Sequence, residues 1–448
     1  MTPVRPTLAS GGSKSVFPRN GGVHPALCSS IQGNSMQDWQ KAKELAVLRY
    51  ADGIPDVPLS HFQAVVTIPV RDEAERIAHC LNALIDQRAM DGTRLPPGTF
   101  GLVLLANNCT DDTVRLAQAL LAGSRIPYLL IDETFPAPLA NVGFARGVSM
   151  DIAAQWLERA SHRRSLILTT DADSRVPRDW VAKCIRAIEA GCGAVAGRVR
   201  LQGDEMMSLS PALKSRGRLE NAYEQALLRL QAHIDAIPHD PWPNHWTASG
   251  ANYALSLQAY RAIGGLPEMT SGEDRALADA LTRHDIAIRH HPDLVVTTSA
   301  RLDGRAAGGV AEALRMRSAV PDLPGDERLE PLPNALQRYM WRARLRHWHR
   351  VSELGQRDWI APLGLPASAL AQIEPFFGAF WQRIEAASPT LSRQALRPSQ
   401  LPENIRAAQS ILRALEQAAV SRGSGNRAGI PAPVLAENYA PDVAQGGG

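Results

Sequence analysis

The segment Ser165-Leu-Ile-Leu-Thr-Thr-Asp-Ala-Asp-Ser174 joins a short apolar run to two carboxylates that stand one residue apart. A continuous apolar run of this length is typical of a strand buried on both faces of a parallel sheet. Asp171 and Asp173 then follow that strand at its carboxyl end, where parallel α/β sheets bind their ligands. The segment therefore predicts both a fold class and the place of a functional site.

Three similar apolar runs precede this segment, and helical segments separate them. The runs cover residues 63–69, 101–106 and 127–131. Expected helix-start signals are a capping box formed by Asp72 and Glu75, a cap at Thr110, and Pro177 in a first helical turn. Strands that alternate with helices predict a mostly parallel α/β sheet flanked by helices.

Composition narrows the function class. The chain has 448 residues, 45% of them hydrophobic, which suits one large domain with appendages or two domains. A formal net charge of +3 is too small to indicate nucleic acid as a partner. The five cysteines show no paired or metal-type spacing, which indicates a reducing, cytoplasmic location. No stretch has the length of a membrane span, so peripheral association is the most that we expect.

Asp171 and Asp173 admit two interpretations. Two carboxylates at a strand end need a cation if they are buried, and their hard oxygen atoms favour Mg²⁺ or Mn²⁺. Alternatively, Asp173 or Ser174 simply caps the helix that starts near Pro177. The local sequence leaves both open.

Two further polar segments also have a functional and a structural interpretation. The segment Asn107-Asn-Cys-Thr-Asp-Asp-Thr113 could read a base and a ribose, or could form an ordinary turn and helix cap. Glu273 and Asp274 could include a general base, or could be acids favoured by a helix dipole. Upstream, the small residues from Gly250 to Asn252 would allow a substrate to approach the backbone closely.

Taken in order along the chain, these segments resemble the family-2 glycosyltransferases of the GT-A fold, over roughly residues 61 to 305. Each motif alone is weak, and the shared order and spacing carry the resemblance. The matching segments are residues 68–73, 107–113, 141–146, 171–173, 250–252, 264–266 and 273–274.

The resemblance implies a role for each segment. Asp171 would touch the ribose or a metal-bound water, and Asp173 would bind the metal. Asp274 would deprotonate the acceptor hydroxyl, with Glu273 beside it. The remaining expected substrate-binding residues are Pro69, Arg71, Glu73, Asn107, Asn108, Asp111, Arg146, Gly250, Asn252, Arg301 and Arg305. Of these, Arg301 and Arg305 would clamp the leaving diphosphate; otherwise they are two solvated arginines.

The sequence departs from the family pattern in three places. The acidic residue that many members carry after the second strand is replaced by Ala106, so base recognition would rest on neighbours such as Asn107. The Asn-Gly-Arg segment is shortened. The histidine that often completes the metal shell is absent, and Thr297-Thr-Ser299 stands after the last strand.

The expected function is a metal-dependent, inverting transfer from a nucleotide-sugar donor, by default a UDP-sugar, to a hydroxyl of a glycan, lipid or small metabolite. The alternatives are an inactive module that binds nucleotide sugars and, less favoured, a nucleotidyltransferase. A nucleotidyltransferase would need a Gly-rich basic loop after the first strand, where this chain has residues 69–73.

The expected division of the chain has five parts. They are a flexible leader (1–37), a nucleotide-sugar-binding half (61–200), an acceptor-binding half (201–310), a helical C-terminal extension (311–420) and a disordered tail (421–448). Within the extension, residues 337–350 are basic and aromatic. This pattern is typical of a helix with an arginine-lined outer face, or of a contact with an anionic acceptor or membrane.

Overall fold

A computed structural model describes residues 14–17, 36–57, 61–160, 164–301 and 310–423 of the chain. The chain divides into two compact units. Unit 1 comprises Met1–Ser208 and Thr247–Arg315, and unit 2 comprises Leu209–Trp246 and Met316–Gly448.

The described strands of unit 1 form one sheet in the order β1-β4-β3-β2-β5-β7-β6-β8. Only β7 in this order runs antiparallel to its neighbours. The strands are β1 (Lys14–Phe17), β2 (Ala64–Val70), β3 (Phe100–Asn107), β4 (Tyr128–Glu133), β5 (Leu166–Thr169), β6 (Ala194–Leu201), β7 (Tyr253–Ser256) and β8 (Ile288–Thr298). The predicted mostly parallel sheet is therefore confirmed.

Helices cover both faces of this sheet. They are α1 (Met36–Ala51), α2 (Ile77–Ile85), α3 (Thr113–Ala122), α4 (Val142–Ala160), α5 (Trp180–Glu189), α6 (Gly203–Ser208), α8 (Leu257–Ala262) and α9 (Glu273–Arg283). Helices α1, α4, α8 and α9 pack on one face, while α2, α3 and α5 pack on the other. Along β3, for example, Val103 contributes to one core and Leu104 to the other. The strands are apolar throughout because both faces are buried.

This topology brings the loops of the site to one edge. Strands β2, β3, β5 and β8 all end there, and antiparallel β7 begins there. The segments that follow or precede these strands contain the polar residues singled out by the sequence. The predicted ligand-binding edge is therefore built from distant parts of the chain.

The N-terminal region contains two elements that the sequence analysis did not predict. Strand β1, within the expected flexible leader, pairs in parallel with β4. The backbone groups along the outer side of β4 thereby gain hydrogen-bond partners. Helix α1 buries Ala42, Ala46 and Tyr50 against the α4 side of the core.

Unit 2 is helical. Its helices are α7 (Pro211–Ile234), α11 (Leu332–Arg350), α12 (Phe377–Ala387) and α13 (Leu401–Gly423). Helix α10 (Val310–Ala319) begins in unit 1, and its residues from Met316 onward belong to unit 2. One core lies among α7, α11 and α13, and a second includes Leu345, Trp359 and Phe380. Residues 209–246 thus pack with the C-terminal helices, although the expected division placed them in the acceptor-binding half. No helix in the described parts of the chain has the length and hydropathy that crossing a membrane requires.

Three arginines of α11 make contacts with acids of unit 2. Arg342 and Arg346 both contact the carboxylate of Asp235, which is 3% exposed. Arg338 pairs with buried Glu330 at 2.7 Å. These arginines therefore neutralise buried acids inside unit 2.

Candidate functional site

Arg146 on α4 joins three segments of the ligand-binding edge. Its Nη2 donates to Asp171 Oδ1 at 2.6 Å, and its Nε donates to Glu273 Oε1 at 2.9 Å. Its Nη1 donates to Thr169 Oγ1 at 2.5 Å and to the Gly250 carbonyl at 3.1 Å. Burial opposes the charged form, but the carboxylates of Asp171 and Glu273 raise the pKa of Arg146 above its usual value. A buried guanidinium in this position fixes the direction of Asp171.

Two glycines permit this arrangement by close approach. A Cβ added to Gly250 would lie 2.5 Å from Arg146 Cζ. A Cβ on Gly143, in the first turn of α4, would lie 1.7 Å from the Met269 carbonyl oxygen. The family motifs at residues 141–146 and 250–252 therefore have a packing reason for their small residues.

Asp173 lies in a second charged cluster. Thr298 Oγ1 donates to Asp173 Oδ1 at 3.2 Å, and Arg301 Nη2 lies 3.4 Å from its Oδ2. Arg301 also holds Glu73 with two hydrogen bonds, of 2.9 and 2.5 Å. Burial first, and then the charges of Asp171 and Glu73, raise the pKa of Asp173 to about 6. Thr298 thus occupies the region where the family pattern often has a histidine.

These two carboxylates fit a divalent metal. Burial and the neighbouring charges of Asp171 and Glu73 both disfavour the ionised form of Asp173, and a bound cation would favour it. Within the described residues, no group of three or more His, Cys, Asp or Glu side chains could hold a metal. With Asp171 and Asp173 as the protein ligands, phosphate and water would complete the shell, as Mg²⁺ often requires.

The capping interpretation of this segment is wrong. Helix α5 starts at Trp180, and its N-cap residue, Asp179, makes no side-chain capping bond. Ser174 instead donates from Oγ to Thr298 Oγ1 at 3.0 Å. Asp173 and Ser174 therefore face β8 and not the start of the helix.

The loops after β2 and β3 are tied to each other. Asp72 has a φ of 50° and accepts hydrogen bonds from the amides of Thr110 and Asp111. Asp111 accepts a bond from the Ala74 amide at 3.1 Å, and Thr113 Oγ1 accepts one from the Glu73 amide at 2.7 Å. The predicted caps at Asp72 and Thr110 are wrong, because Asp72 bonds across to the other loop and the N-cap residues of α2 and α3 make no side-chain capping bond.

The other predicted nucleoside-binding residues lie beside these loops. Asn108, with a φ of 57°, donates to the Phe135 carbonyl and accepts from its amide. Arg71 donates to the Ala140 carbonyl at 3.1 Å, and Pro69 lies in β2 opposite Leu105.

Asn107 is buried, and its Nδ2 donates to the Asn141 carbonyl at 3.1 Å. Its Oδ1 has no hydrogen-bond partner among the described residues. An acceptor buried in this way is costly unless a ligand satisfies it.

On the other side of Asp171, Asp274 lies in the first turn of α9. Its Oδ2 accepts a hydrogen bond from the Gly250 amide at 3.1 Å. Glu273 is 4% exposed and is paired with Arg146. Asn252 is fully buried and bonds to the Arg198 and Leu294 carbonyls and to Trp180.

A comparison with known families bears on these residues directly. Residues 65–239 match the model of glycosyl transferase family 2. This stretch of the chain belongs to that family. The family-2 domain includes Asp171 and Asp173, and the matched residues end before Gly250 and Asp274. The protein is a glycosyltransferase with the GT-A fold, as the sequence resemblance predicted.

Two solved structures are similar to most of the chain at low identity. The mannosyltransferase PcManGT from Pyrobaculum calidifontis, in complex with GDP-Man and Mn²⁺, is 16% identical; the match covers 86% of this chain and 89% of that chain, with a TM-score of 0.41. S. aureus TarS 1–349, in complex with UDP-GlcNAc, is 15% identical; the match covers 80% and 92%, with a TM-score of 0.38. No curated protein sequence matches the chain.

Several contacts in the glycosyltransferase site were not predicted from the sequence. Glu205 in α6 accepts bonds from Ser299 Oγ and the Ala300 amide, and pairs with Arg76. It therefore fixes the backbone that precedes Arg301. The acidic residues at the start of α6 were a visible signal, but their partners are about 95 and 129 residues away. Arg305 lies outside the described residues.

Proposed function

We propose that this glycosyltransferase moves a sugar from a nucleoside diphosphate sugar to an acceptor hydroxyl, with inversion and with Mn²⁺ or Mg²⁺ at Asp171 and Asp173. The observation that carries the proposal is the pair of carboxylates at the edge of the sheet, one oriented by Arg146 and the other beside Arg301. The metal would supply positive charge that stabilises the leaving diphosphate.

Arg301 is the residue that we assign to the diphosphate. It now pairs with Glu73 and approaches Asp173, so it already lies beside the proposed metal ligands. A guanidinium can donate two parallel hydrogen bonds to a phosphate group. Arg305 remains a proposed second member of this clamp.

The donor base is assigned to the loops after β2 and β3. The buried Asn107 Oδ1 would accept a hydrogen bond from a base N–H, and uracil offers one at N3. This fits a UDP-sugar as the default donor. Asn108 and Asp111 would then support the loop through the contacts they already make.

Asp274 is the proposed general base. Its carboxylate is held by the Gly250 amide at the edge where β7 begins, and it is only half-buried. It would take the proton of the attacking hydroxyl while positive charge builds on the anomeric carbon of the sugar. Glu273 is engaged by Arg146, so we assign it a positioning role and not proton transfer.

The acceptor would be a glycan, a lipid or a small metabolite, with no nucleic acid involved, and peripheral membrane association would be compatible. We place the reaction in the cytoplasm, because the cysteines of the sequence show no paired spacing and because Cys80 and Cys184 are free thiols.

A thermal-shift panel tests the proposal. UDP-, GDP- and dTDP-sugars are compared with and without Mn²⁺, for the native protein and for Asp173→Asn. A ligand at a hundred times its dissociation constant adds about 2.7 kcal/mol of stability. We expect stabilisation that needs both Mn²⁺ and one nucleotide, and that is lost in the variant. A nucleotide shift without any turnover or donor hydrolysis would favour the inactive module.

A further inference from the structure

A cavity in unit 1 lies along α2 and the loop after it. Its volume is about 660 Å³, which is within the range of small-molecule sites. Its lining comes from residues 79–94 and 175–178. None of the residues assigned above to the donor, the metal or the acceptor lines it.

The lining of this cavity is strongly basic. Arg88, Arg94, Arg175 and Arg178 all contribute to it, and Asp86 is the single acid among the described lining residues. Asp86 Oδ1 lies 3.1 Å from Arg88 Nη2, and its Oδ2 lies 2.9 Å from Arg178 Nε. One carboxylate, paired with two of the arginines, is therefore the single acid in a cavity lined by four guanidinium groups.

The remaining cationic groups have no acidic partner within the part of the chain that the structure describes. Arg94 and Arg175 make no ion pair there, and both are exposed residues in the lining of the cavity. Arg88 Nε is buried without a hydrogen-bond partner in the same set of residues. Like charges gathered in this way repel each other unless an anion lies between them.

The backbone holds these arginines in place. Arg88 and Arg94 face each other in an antiparallel bridge, and the Arg88 amide donates to the Arg178 carbonyl at 2.6 Å. Arg175 exchanges two backbone hydrogen bonds with Thr297, of 2.6 and 3.0 Å. Binding of an anion between these arginines would therefore require little reorganisation of the main chain.

We propose that this cavity, the arginine cleft, binds a ligand that carries two or more oxyanion groups, at a site separate from the donor site. Guanidinium groups match phosphate and carboxylate geometry with paired hydrogen bonds. The volume exceeds what one small anion fills, and His79 and Asn82 add neutral polar groups to the wall.

Isothermal titration calorimetry with the full chain tests this site, in metal-free buffer of low ionic strength. The probes are tripolyphosphate and citrate. We expect saturable one-to-one binding that weakens about tenfold or more in Arg94→Gln/Arg175→Gln. The matched control is Arg125→Gln/Arg186→Gln, which removes two exposed arginines outside the cleft and should change affinity by less than about twofold.

Two outcomes overturn the proposal. One is the lack of saturable binding of either probe to the native protein. The other is a loss of affinity in the control variant that equals the loss in the cleft variant, or a greater loss of affinity in Arg301→Gln. Either result would place the anion elsewhere. If the cleft variant alone loses binding, the preferred probe identifies phosphate or carboxylate as the recognised group.

Discussion

At the residue scale, the guanidinium of Arg146 is placed between the carboxylates of Asp171 and Glu273. Removing one partner of a buried ion pair leaves an uncompensated charge, so all three residues depend on each other. Asp274, the neighbour of Glu273, has no part in this network and is bonded to backbone amides. The two adjacent acids therefore make separate contacts.

Asp274→Asn should keep the fold and lose turnover. The asparagine oxygen can still accept the bond from the Gly250 amide, although the bond from the Arg275 amide is lost, but the side chain cannot take a proton, so kcat should fall by about 10²–10⁴. Steady-state kinetics and nucleotide-dependent thermal shifts measure the two properties separately. Asp52→Asn, an exposed acid after α1, is the matched control. Near-native turnover of Asp274→Asn would refute the general-base assignment.

The raised pKa of Asp173 predicts a pH dependence in the metal-free protein. Because the folded state binds this proton more tightly than the unfolded state, the contribution to stability is full below the ordinary pKa of about 4 and is lost as pH rises through about 6. Asp173→Asn should therefore stabilise the metal-free protein at pH 8, by at most about 3 kcal/mol, and have little effect at pH 4.

Thermal unfolding at both pH values measures this effect. Asp171→Asn is the contrasting variant, because it weakens the partner of buried Arg146 and should destabilise the protein at pH 8. Mn²⁺ affinity of the native protein should also fall about tenfold per pH unit below pH 6, since the metal competes with the proton. An Asp173→Asn protein less stable than native at pH 8 would contradict the charge argument.

At the element scale, the ligand-binding edge depends on how closely the segment before β7 approaches α4. Gly250→Ala would place a methyl group 2.5 Å from Arg146 Cζ, and the guanidinium cannot move without losing its carboxylates. We expect a loss of about 1–3 kcal/mol of stability and a large loss of activity. Gly217→Ala in α7 is the control, since a Cβ there meets nothing within 4 Å and should add about 0.5–1 kcal/mol.

Denaturant unfolding of the two glycine variants gives both free energies. If Gly250→Ala is as stable and as active as Gly217→Ala, the close approach of Gly250 to Arg146 is not required.

The strands were predictable from sequence, whereas the contacts between loops were not. Buried parallel strands such as β2 and β3 have no polar face, so their continuous apolar runs identify them. The sequence predicted Asp72 as a helix cap. Its backbone is instead in the αL region, and its carboxylate accepts a hydrogen bond from the Thr110 amide, because this tertiary hydrogen bond outweighs a local capping bond. Arg146 and Glu273 are 127 residues apart, and no local pattern links them. The sequence was sufficient to identify the carboxylates, but the residues that pair with them are evident only from the fold.

At the scale of the whole molecule, unit 2 has its own buried charges. Asp235 is 3% exposed and accepts hydrogen bonds from Arg342 and Arg346. Asp235→Ala leaves two arginines without this partner and should destabilise unit 2 by about 3–5 kcal/mol. Hydrogen exchange should rise in peptides from α7 and α11. Asp358→Ala, an exposed acid of the same unit, is the control and should leave exchange unchanged.

Exchange in α7 and α11 that stays at the native level in Asp235→Ala would mean that the charge cluster does not stabilise these helices.

The position of β7 has a consequence for synthesis of the chain. Strand β7 lies between β5 and β6 in the sheet, yet it comes after both in sequence. As the polypeptide leaves the ribosome, β5 and β6 are synthesised first, and the position between them in the sheet is still empty. Helix α7 must be synthesised before β7 can fill that position. During that interval β5 has an open edge, which is the kind of surface that nascent chains aggregate through or that chaperones cover. The same insertion brings Gly250 to Arg146, so the step that covers the exposed strand also begins to assemble the ligand-binding edge.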